Sequence, residues 1–195
     1  MTTRRGLLLL DVDGPLNPYD AKPWRRPVGY HTWRYIGPGA LYTDREYRQA
    51  RAKHAMRVWL NPDHGPMLLD LAATTGLELV WATTWGSEAN RCIGPAIGLP
   101  ELPVIRFGEP DWGHAGWSMS GAWKWRAVAD YADGRPLAWL DDEHNDVTYV
   151  HARAVFDRRR AGTPTLLCHV DPRTGLLPDH LATVRSWADR RNDHG

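Results

Sequence analysis

The feature that most constrains this chain is a run of four leucines, Leu7–Leu10, that leads directly into two carboxylates, Asp11 and Asp13. The run is too short for a helix and is bounded by Gly14 and Pro15, so it predicts a strand that is buried on both faces. Ligands of open α/β sheets bind at the carboxyl ends of such strands. Because alternate strand residues share a side, the two carboxylates would repel each other, and a hard cation between them would relieve the repulsion. An ordinary surface turn is the alternative interpretation of Asp-x-Asp-Gly.

Length and composition limit the kinds of protein that the chain can be. With 195 residues we expect one domain with a real core, and the net charge of +1 argues against a nucleic-acid-binding protein that is basic throughout. The 11 tryptophans suit core packing, and flat rings also suit base stacking. Cys92 and Cys168 lie far apart, which predicts reduced thiols rather than a disulfide framework. Since no segment has the length of a membrane span and no signal-peptide pattern is complete, we expect a cytoplasmic protein.

Further short apolar runs alternate with helical patterns and predict an α/β fold with a mainly parallel sheet of five strands. After the first run, strands are expected at residues 77–82, 102–107, 136–140 and 165–170. Helices are expected at residues 67–75, 118–131, 147–160 and 181–191.

Two of these strands end in polar residues that suit phosphate and metal binding. The strand at residues 77–82 leads into Thr83 and Thr84, whose hydroxyl groups could donate to a phosphoryl oxygen beside a helix N-terminus. Capping of that helix by the threonines is the alternative. The strand at residues 136–140 leads into an acidic cluster. There Asp142 is the first candidate for a metal ligand, with Asp141 and Asp146 in support, and a solvated acidic turn is the alternative.

One basic residue, Lys124, falls in the first turns of the helix expected at residues 118–131. A lysine at that position could reach the phosphate site and offset the charge of the carboxylates. Most helical lysines face solvent, and Arg126 is a competing candidate for the same role.

The segment at residues 19–60, called here the 19–60 segment, is expected to form a small cap-like insertion after the first strand. Residues 17–60 include nine Lys or Arg residues against three acidic ones, with aromatic residues between them. Basic and aromatic side chains together suit a polyanion with stackable bases. The possible substrate contacts are Trp24, Arg25, Arg26 and Trp33. The alternative is a solvated face whose aromatic residues only pack the segment down. A capping-box pattern at Thr43 and Glu46 predicts a helix that runs to about Val58.

Taken in order, these motifs resemble those of the haloacid dehalogenase-like (HAD) hydrolase superfamily. The Asp-x-Asp-Gly sequence resembles the first motif, the strand that ends in threonine the second, the helical lysine the third and the acidic cluster the fourth. Residues 81–85 and 170–176 resemble an actinobacterial-type subgroup similar to HAD domains of RNA-repair proteins. Pro15 departs from the pattern, because many members carry Thr or Val there. The resemblance implies a single domain over residues 1–195, a Rossmann-like three-layer sandwich with the 19–60 segment as its cap-like insertion.

The same resemblance implies a Mg²⁺-dependent phosphohydrolase that cleaves a phosphomonoester through an aspartyl-phosphate intermediate. It makes Asp11 the nucleophile and Asp13 the general acid and base. The residues that would bind phosphate are Lys124 and a threonine of the second motif, with Thr83 as the first choice and Thr84 as the second. Metal binding falls to Asp11, the backbone carbonyl of Asp13, Asp142 and Asp141. The substrate could be a nucleotide or nucleic-acid end, a small sugar phosphate or a phosphoprotein.

One other function competes with this hypothesis. It is a catalytically inactive module that keeps the fold and the Mg²⁺ site and binds nucleic acid or another partner, because fold does not imply activity. A zinc site is disfavoured, since it would need His144, His151 and His169 to converge without any recognised spacing. No glycine-rich nucleotide-binding loop pattern occurs in the sequence.

Overall fold

The computed structural model describes residues 4–22, 24–50, 54–107 and 122–192. Its strands are β1 (Leu7–Leu10), β2 (His31–Gly37), β3 (Ala40–Thr43), β4 (Met56–Leu60), β5 (Glu78–Trp81), β6 (Leu137–Asp141) and β7 (Thr165–His169). Its α-helices are α1 (Asp44–Ala50), α2 (His64–Thr75), α3 (Gly94–Ile97), α4 (Ala122–Ala132), α5 (Val150–Arg159) and α6 (Pro178–Asn192). A π-helical turn, Ala89–Ile93, leads into α3, and two short 3₁₀ turns, Glu143–Asn145 and Val147–Tyr149, precede α5.

The fold is α/β, with a parallel sheet of four strands in the order β5-β1-β6-β7. Strand β1 lies inside the sheet, where Leu7 pairs with Glu78 on one side and Leu137 on the other. All four of its leucines are fully buried, as the apolar run predicted. Leu8 and Leu10 join a core cluster with side chains of α2 and α6, whereas Leu7 and Leu9 join a cluster with side chains of α4 and α5.

The strand expected at residues 102–107 is reduced to a single parallel bridge between Trp81 and Val104. The backbone N–H of Trp81 donates to the carbonyl of Pro103 at 2.8 Å, and the N–H of Ile105 donates back to Trp81 at 2.9 Å. Pro103 has no N–H to extend this ladder, which is typical of prolines beside a sheet edge. In the described part of the chain the parallel sheet therefore has four strands rather than the five that we expected.

The 19–60 segment contains a second, antiparallel sheet in the order β3-β2-β4. The helix predicted from Thr43 to about Val58 is wrong in its second half, because α1 ends at Ala50 and residues 56–60 form β4. Strand β4 pairs with β2 from His31↔Leu60 to Tyr35↔Met56 and buries its last three residues, while α1 buries none. Residues 56–60 therefore form a strand despite their local helical pattern, because pairing with β2 buries their side chains.

The antiparallel sheet is attached to the parallel sheet near the end of β1. The backbone N–H of Trp59 donates to Oδ1 of Asn17 at 3.0 Å, and Gly39 N donates to Oε2 of Glu88 at 2.6 Å. Val58 and Leu60 belong to the core cluster that also holds Leu8 and Leu10. The two sheets thus share one core. None of the described helices has the length and apolar character needed to cross a membrane.

Candidate active site

The candidate site lies at the carboxyl ends of two neighbouring strands, β1 and β6. Leu10 pairs with Leu140, and the backbone N–H of Asp11 donates to the carbonyl of Leu140 at 3.1 Å. Parallel pairing therefore brings Asp11, directly after β1, beside Asp141 at the end of β6. The residues of the first and fourth motifs thus lie at the same edge of the sheet.

An acidic triad forms at this edge from Asp11, Asp141 and Asp142, which each offer one carboxylate oxygen within 4.8 Å of the others. Asp11 is 5% exposed and Asp141 is fully buried. Burial raises the pKa of Asp11 to about 7, although the charge of Lys124 opposes the shift. Burial likewise raises the pKa of Asp142 to about 7, opposed by a hydrogen bond from Tyr19 and reinforced by Asp141 and Asp11. Carboxylate oxygens are the ligands that Mg²⁺ and Ca²⁺ prefer, so the triad fits a hard divalent cation.

Lys124, in the first turn of α4, is 3% exposed and lies among carboxylates. Its Nζ lies 2.5 Å from Oδ2 of Asp11 and 2.6 Å from Oδ2 of Asp141, and it also reaches Oε2 of Glu143 at 3.3 Å. Burial by itself would lower the pKa of Lys124, but these three carboxylates raise it well above its ordinary value. The competing candidate, Arg126, has a side chain that is 74% exposed and faces Asp130 instead.

Asp13 is half-buried beside the acidic triad and is held by two donors. The indole Nε1 of Trp85 donates to its Oδ2 at 2.9 Å, and Nδ2 of Asn17 donates to its Oδ1 at 2.8 Å. Asn17 accepts from the backbone of Trp59 in turn, so Asp13 is linked to the antiparallel sheet. A carboxylate held in this way keeps a fixed direction toward the cleft that it lines.

The structure separates the two threonines that follow β5. Thr83 is fully buried beside Asp11, and its hydroxyl lowers the pKa of that carboxyl and so opposes part of the burial effect. The backbone N–H of Trp85 donates to Oγ1 of Thr83 at 3.3 Å. Thr84 is exposed and lines the cleft. Thr83 therefore sits against the candidate nucleophile, while Thr84 faces the space that a substrate would enter.

Two residues early in the chain hold Asp142 in place. Gly14 has a φ of +85°, and a Cβ added there would lie 2.5 Å from Cγ of Asp142. Only glycine combines that backbone angle with so close an approach. The hydroxyl of Tyr19 donates to Oδ2 of Asp142 at 2.9 Å. Neither contact was predicted, because each joins residues far apart in the chain.

A cleft of about 720 Å³ opens at Asp11 and Asp142, two members of the triad. The described residues that line it are Asp11, Asp13, Asn17, Tyr19, Met56, Arg57, Thr84, Trp123, Lys124, Asp142, Glu143 and Tyr149. Sequence reasoning missed Met56 and Arg57 because they were assigned to a helix, and it missed Trp123 and Tyr149 because no spacing marks them. Glu143 lay within the predicted acidic cluster but had no separate role.

The possible substrate contacts of the 19–60 segment are not among the described residues that line this cleft. Trp24 is 82% exposed, and Trp33 is half-buried against the core. Arg25 lines a different pocket with Tyr30 and His64, and Arg26 donates to Oγ1 of Thr32 at 3.2 Å. The structure does not bring these four side chains to the acidic triad.

The remaining candidate ligands have other partners. Asp146 is exposed and accepts bonds from the backbone N–H and the hydroxyl of Thr148, both at 2.8 Å. Nε2 of His144 lies 3.0 Å from the carbonyl oxygen of Trp139, whereas His151 is exposed on α5. Among the residues with described positions, the acidic triad is the one group of three possible metal ligands.

The site thus places three possible ligands of a divalent cation beside a buried ammonium group and a second, directed carboxylate. That combination suits chemistry on an anionic group such as a phosphate. Comparison of the chain with protein-family models, with curated proteins and with solved structures finds no match.

Proposed function

We propose that the protein is a Mg²⁺-dependent hydrolase of phosphomonoesters that acts through an aspartyl-phosphate intermediate. The observation that carries the proposal is the contact of Lys124 with Asp11 and Asp141 beside Asp142, at the carboxyl ends of β1 and β6. The proposal includes a HAD-type fold in which the 19–60 segment is a cap-like insertion. A cytoplasmic location is part of it too, and the free, buried thiols of Cys92 and Cys168 support that location.

In this proposal Asp11 is the nucleophile. Its carboxylate oxygen forms a bond to phosphorus while the bond from phosphorus to the leaving oxygen breaks. Asp13 gives its proton to the leaving oxygen. It then takes a proton from a water molecule whose oxygen attacks the phosphorus, and Asp11 leaves as the free carboxylate. The hydrogen bonds from Trp85 and Asn17 hold Asp13 for both proton transfers.

The charge of the phosphate needs compensation beside three carboxylates. Asp11, Asp141 and Asp142 would hold Mg²⁺, which supplies positive charge next to the phosphoryl oxygens when it is bound. Lys124 stays charged because the carboxylates raise its pKa, so it can donate to a phosphoryl oxygen as well as to Asp11. The hydroxyl of Thr84 faces the cleft and can donate to a second phosphoryl oxygen. The buried Thr83 orients the carboxylate of Asp11.

A second candidate is a catalytically inactive module that keeps this site and binds an anionic partner, such as nucleic acid. One observation favours it: the ammonium group of Lys124 already lies between two of the three carboxylates, so the site is partly neutralised without a metal. Pro15, where many HAD members carry Thr or Val, points in the same direction.

Phosphate release from a panel of phosphomonoesters, including 3′- and 5′-phosphorylated oligonucleotides, tests the proposal. Each substrate is assayed with Mg²⁺ and with a chelator, for the wild type, for Asp11→Asn and for the control Asp189→Asn. Asp189 is exposed on α6, away from the cleft. We expect Mg²⁺-dependent release that falls about 1,000-fold or more in Asp11→Asn and is unchanged in the control. Retained release in a folded Asp11→Asn protein would overturn the nucleophile assignment, and no release from any substrate would favour the binding module.

A further inference from the structure

We propose that Arg57 binds a second anionic group of the substrate, so that the cleft selects phosphomonoesters that also carry a phosphate or a carboxylate. This inference rests on the proposed function and names the substrate class of the same site. Arg57 would bind an oxyanion of the substrate that is separate from the reacting phosphate.

The first observation is the charge balance of the cleft. Arg57 and Lys124 are the two cations among its described lining residues. Lys124 contacts three carboxylates, those of Asp11, Asp141 and Glu143. Arg57 is half-buried and forms no ion pair with any carboxylate of the described residues. A cation that is partly removed from water without a counter-charge is unfavourable unless a ligand supplies that charge.

The second observation is a pair of like charges across two strands. Arg57 on β4 lies directly opposite Arg34 on β2. Arg34 has a counter-charge, because its Nε donates to Oδ1 of Asp44 at 2.8 Å. Burial and the charge of Arg34 both lower the pKa of Arg57. Like charges opposite each other destabilise a sheet, and an anion bound at Arg57 would offset that repulsion.

The third observation is the way in which the guanidinium group is held. It lies over the ring of Trp59, with its Cζ 3.8 Å from the ring centroid. The ring is fixed in turn, because Trp59 is 3% exposed and its Nε1 donates to Oγ1 of Thr32 at 3.0 Å. A guanidinium group stacked on an aromatic face keeps the N–H groups of its edge available, and their fork matches a carboxylate or a phosphate.

The remaining wall of the cleft suits the body of such a substrate. Tyr19, Trp123 and Tyr149 line the same cleft as Arg57 and the acidic residues. Aromatic rings can bury the carbon skeleton or a base that joins the two anionic groups. The geometry thus favours a molecule with an anion at each of two places over a simple alkyl phosphate.

Matched substrate pairs test the inference. One pair is an alkyl phosphate and the same alkyl phosphate with a terminal carboxylate, and the other is a nucleoside 5′-phosphate and its 3′,5′-bisphosphate. For the wild type we expect a higher kcat/KM on the doubly anionic member of at least one pair. In Arg57→Gln this value should fall about 10- to 100-fold, while the singly phosphorylated member changes less than about threefold. The pair that responds identifies the second anion as carboxylate or phosphate.

Two further variants complete the design. Arg57→Lys keeps the positive charge but loses the paired N–H groups of the guanidinium, so its preference for the doubly anionic substrate should be intermediate. Arg48→Gln removes an exposed cation of the same segment, on α1 and outside the described cleft lining, and should change neither member. An equal loss on both members in folded Arg57→Gln, or no loss on either, would overturn the inference.

Binding measurements separate failure of this inference from failure of the proposed function. The same pairs are titrated calorimetrically into Asp11→Asn and into Asp11→Asn combined with Arg57→Gln. If the wild type hydrolyses nothing, the proposed function fails. The inference then stands only if the doubly anionic ligand still binds more tightly and Arg57→Gln removes that difference. Equal binding of both ligands would overturn it.

Discussion

The Nζ of Lys124 lies 2.5 Å from Oδ2 of Asp11, across 113 positions of the chain. Both side chains are buried at this contact, and the same ammonium group lies 2.6 Å from Asp141. A helix on one face of the parallel sheet thereby supplies the positive charge that two strand ends need. We therefore expect both the stability of the fold and the proposed chemistry to depend on this lysine.

Replacement of Lys124 by alanine should cost stability and activity together. The change leaves Asp11 and Asp141 buried without their counter-charge, which costs about 3–5 kcal/mol when a buried pair loses one partner. The matched variant Arg126→Ala removes an exposed charge from the same helix and should change stability by less than about 0.5 kcal/mol. Urea denaturation measures both variants, and phosphate release measures activity. Equal stability of the two variants would contradict a structural role for the Lys124 charge.

Replacement of Gly14 by alanine should weaken metal binding. Its Cβ would displace Asp142, in addition to the strain of an alanine at a φ of +85°. Gly39→Ala is the control, because Gly39 has a φ of +71° but nothing within 4 Å of an added Cβ. Both variants should lose about 1–2 kcal/mol of stability from the strained backbone, while only Gly14→Ala should lose about tenfold or more in Mg²⁺ affinity. Calorimetric titration with Mg²⁺ checks this, and equal affinities of the two variants would refute it.

The hydrogen bond from the indole of Trp85 should speed the proton transfer from Asp13 to the leaving group. Trp85→Phe keeps a ring but removes the N–H that donates to Oδ2 of Asp13. We expect kcat to fall about tenfold on substrates with poor leaving groups, since the variant loses one hydrogen bond to the carboxylate that forms as Asp13 gives up its proton. A substrate with a good leaving group needs no proton and should be affected less. Trp187→Phe on α6 serves as the control, and an equal loss on both kinds of substrate would point to a merely structural effect.

Protonation of His64 should destabilise the protein in mild acid. His64 is 3% exposed in α2, and burial lowers its pKa to about 4 from an ordinary value of 6.5. The folded state then binds fewer protons than the unfolded state between these values, so stability falls as the pH falls. Through this difference in pKa, His64 should lower the free energy of unfolding by about 2 kcal/mol between pH 7 and pH 5.

Urea denaturation at the two pH values measures this contribution in the wild type and in His64→Gln. The variant should lose less stability over the interval than the wild type does. His54→Gln, which changes an exposed histidine, should behave as the wild type. A His64→Gln protein with the wild-type pH dependence would show that His64 does not titrate in this range.

The local pattern of the chain was enough to predict the parallel strands and the residues at their ends. Strands β1, β5, β6 and β7 were all expected, because short apolar runs bounded by polar residues have few other solutions. Their parallel pairing then follows from the alternation with helices, and it brings Asp11 and Asp141 together. Only one bridge forms in place of the strand expected at residues 102–107, since Pro103 has no backbone N–H to donate to the sheet.

The antiparallel sheet could not be predicted from the same pattern. Residues 56–60 follow a basic segment with a helix-start signal, yet they pair with β2 and bury Val58, Trp59 and Leu60. Pairing with a distant strand depends on the stability of the whole sheet, which no local window contains. As a result, Arg57 was missed as a cleft residue, while Trp24, Arg25, Arg26 and Trp33 lie outside the described lining of that cleft.

The sequence by itself therefore determined the strand ends that carry the acidic residues, because an apolar run and the polar residues that end it lie within one short window of the chain. Only the tertiary structure decided that Lys124 rather than Arg126 reaches Asp11, that Thr83 is buried while Thr84 faces the cleft, and that Tyr19 holds Asp142. These choices depend on which side chains meet after distant segments have packed. The direction and burial of a side chain are set by its neighbours in space. Those neighbours come from distant parts of the chain and are brought together only by the tertiary structure.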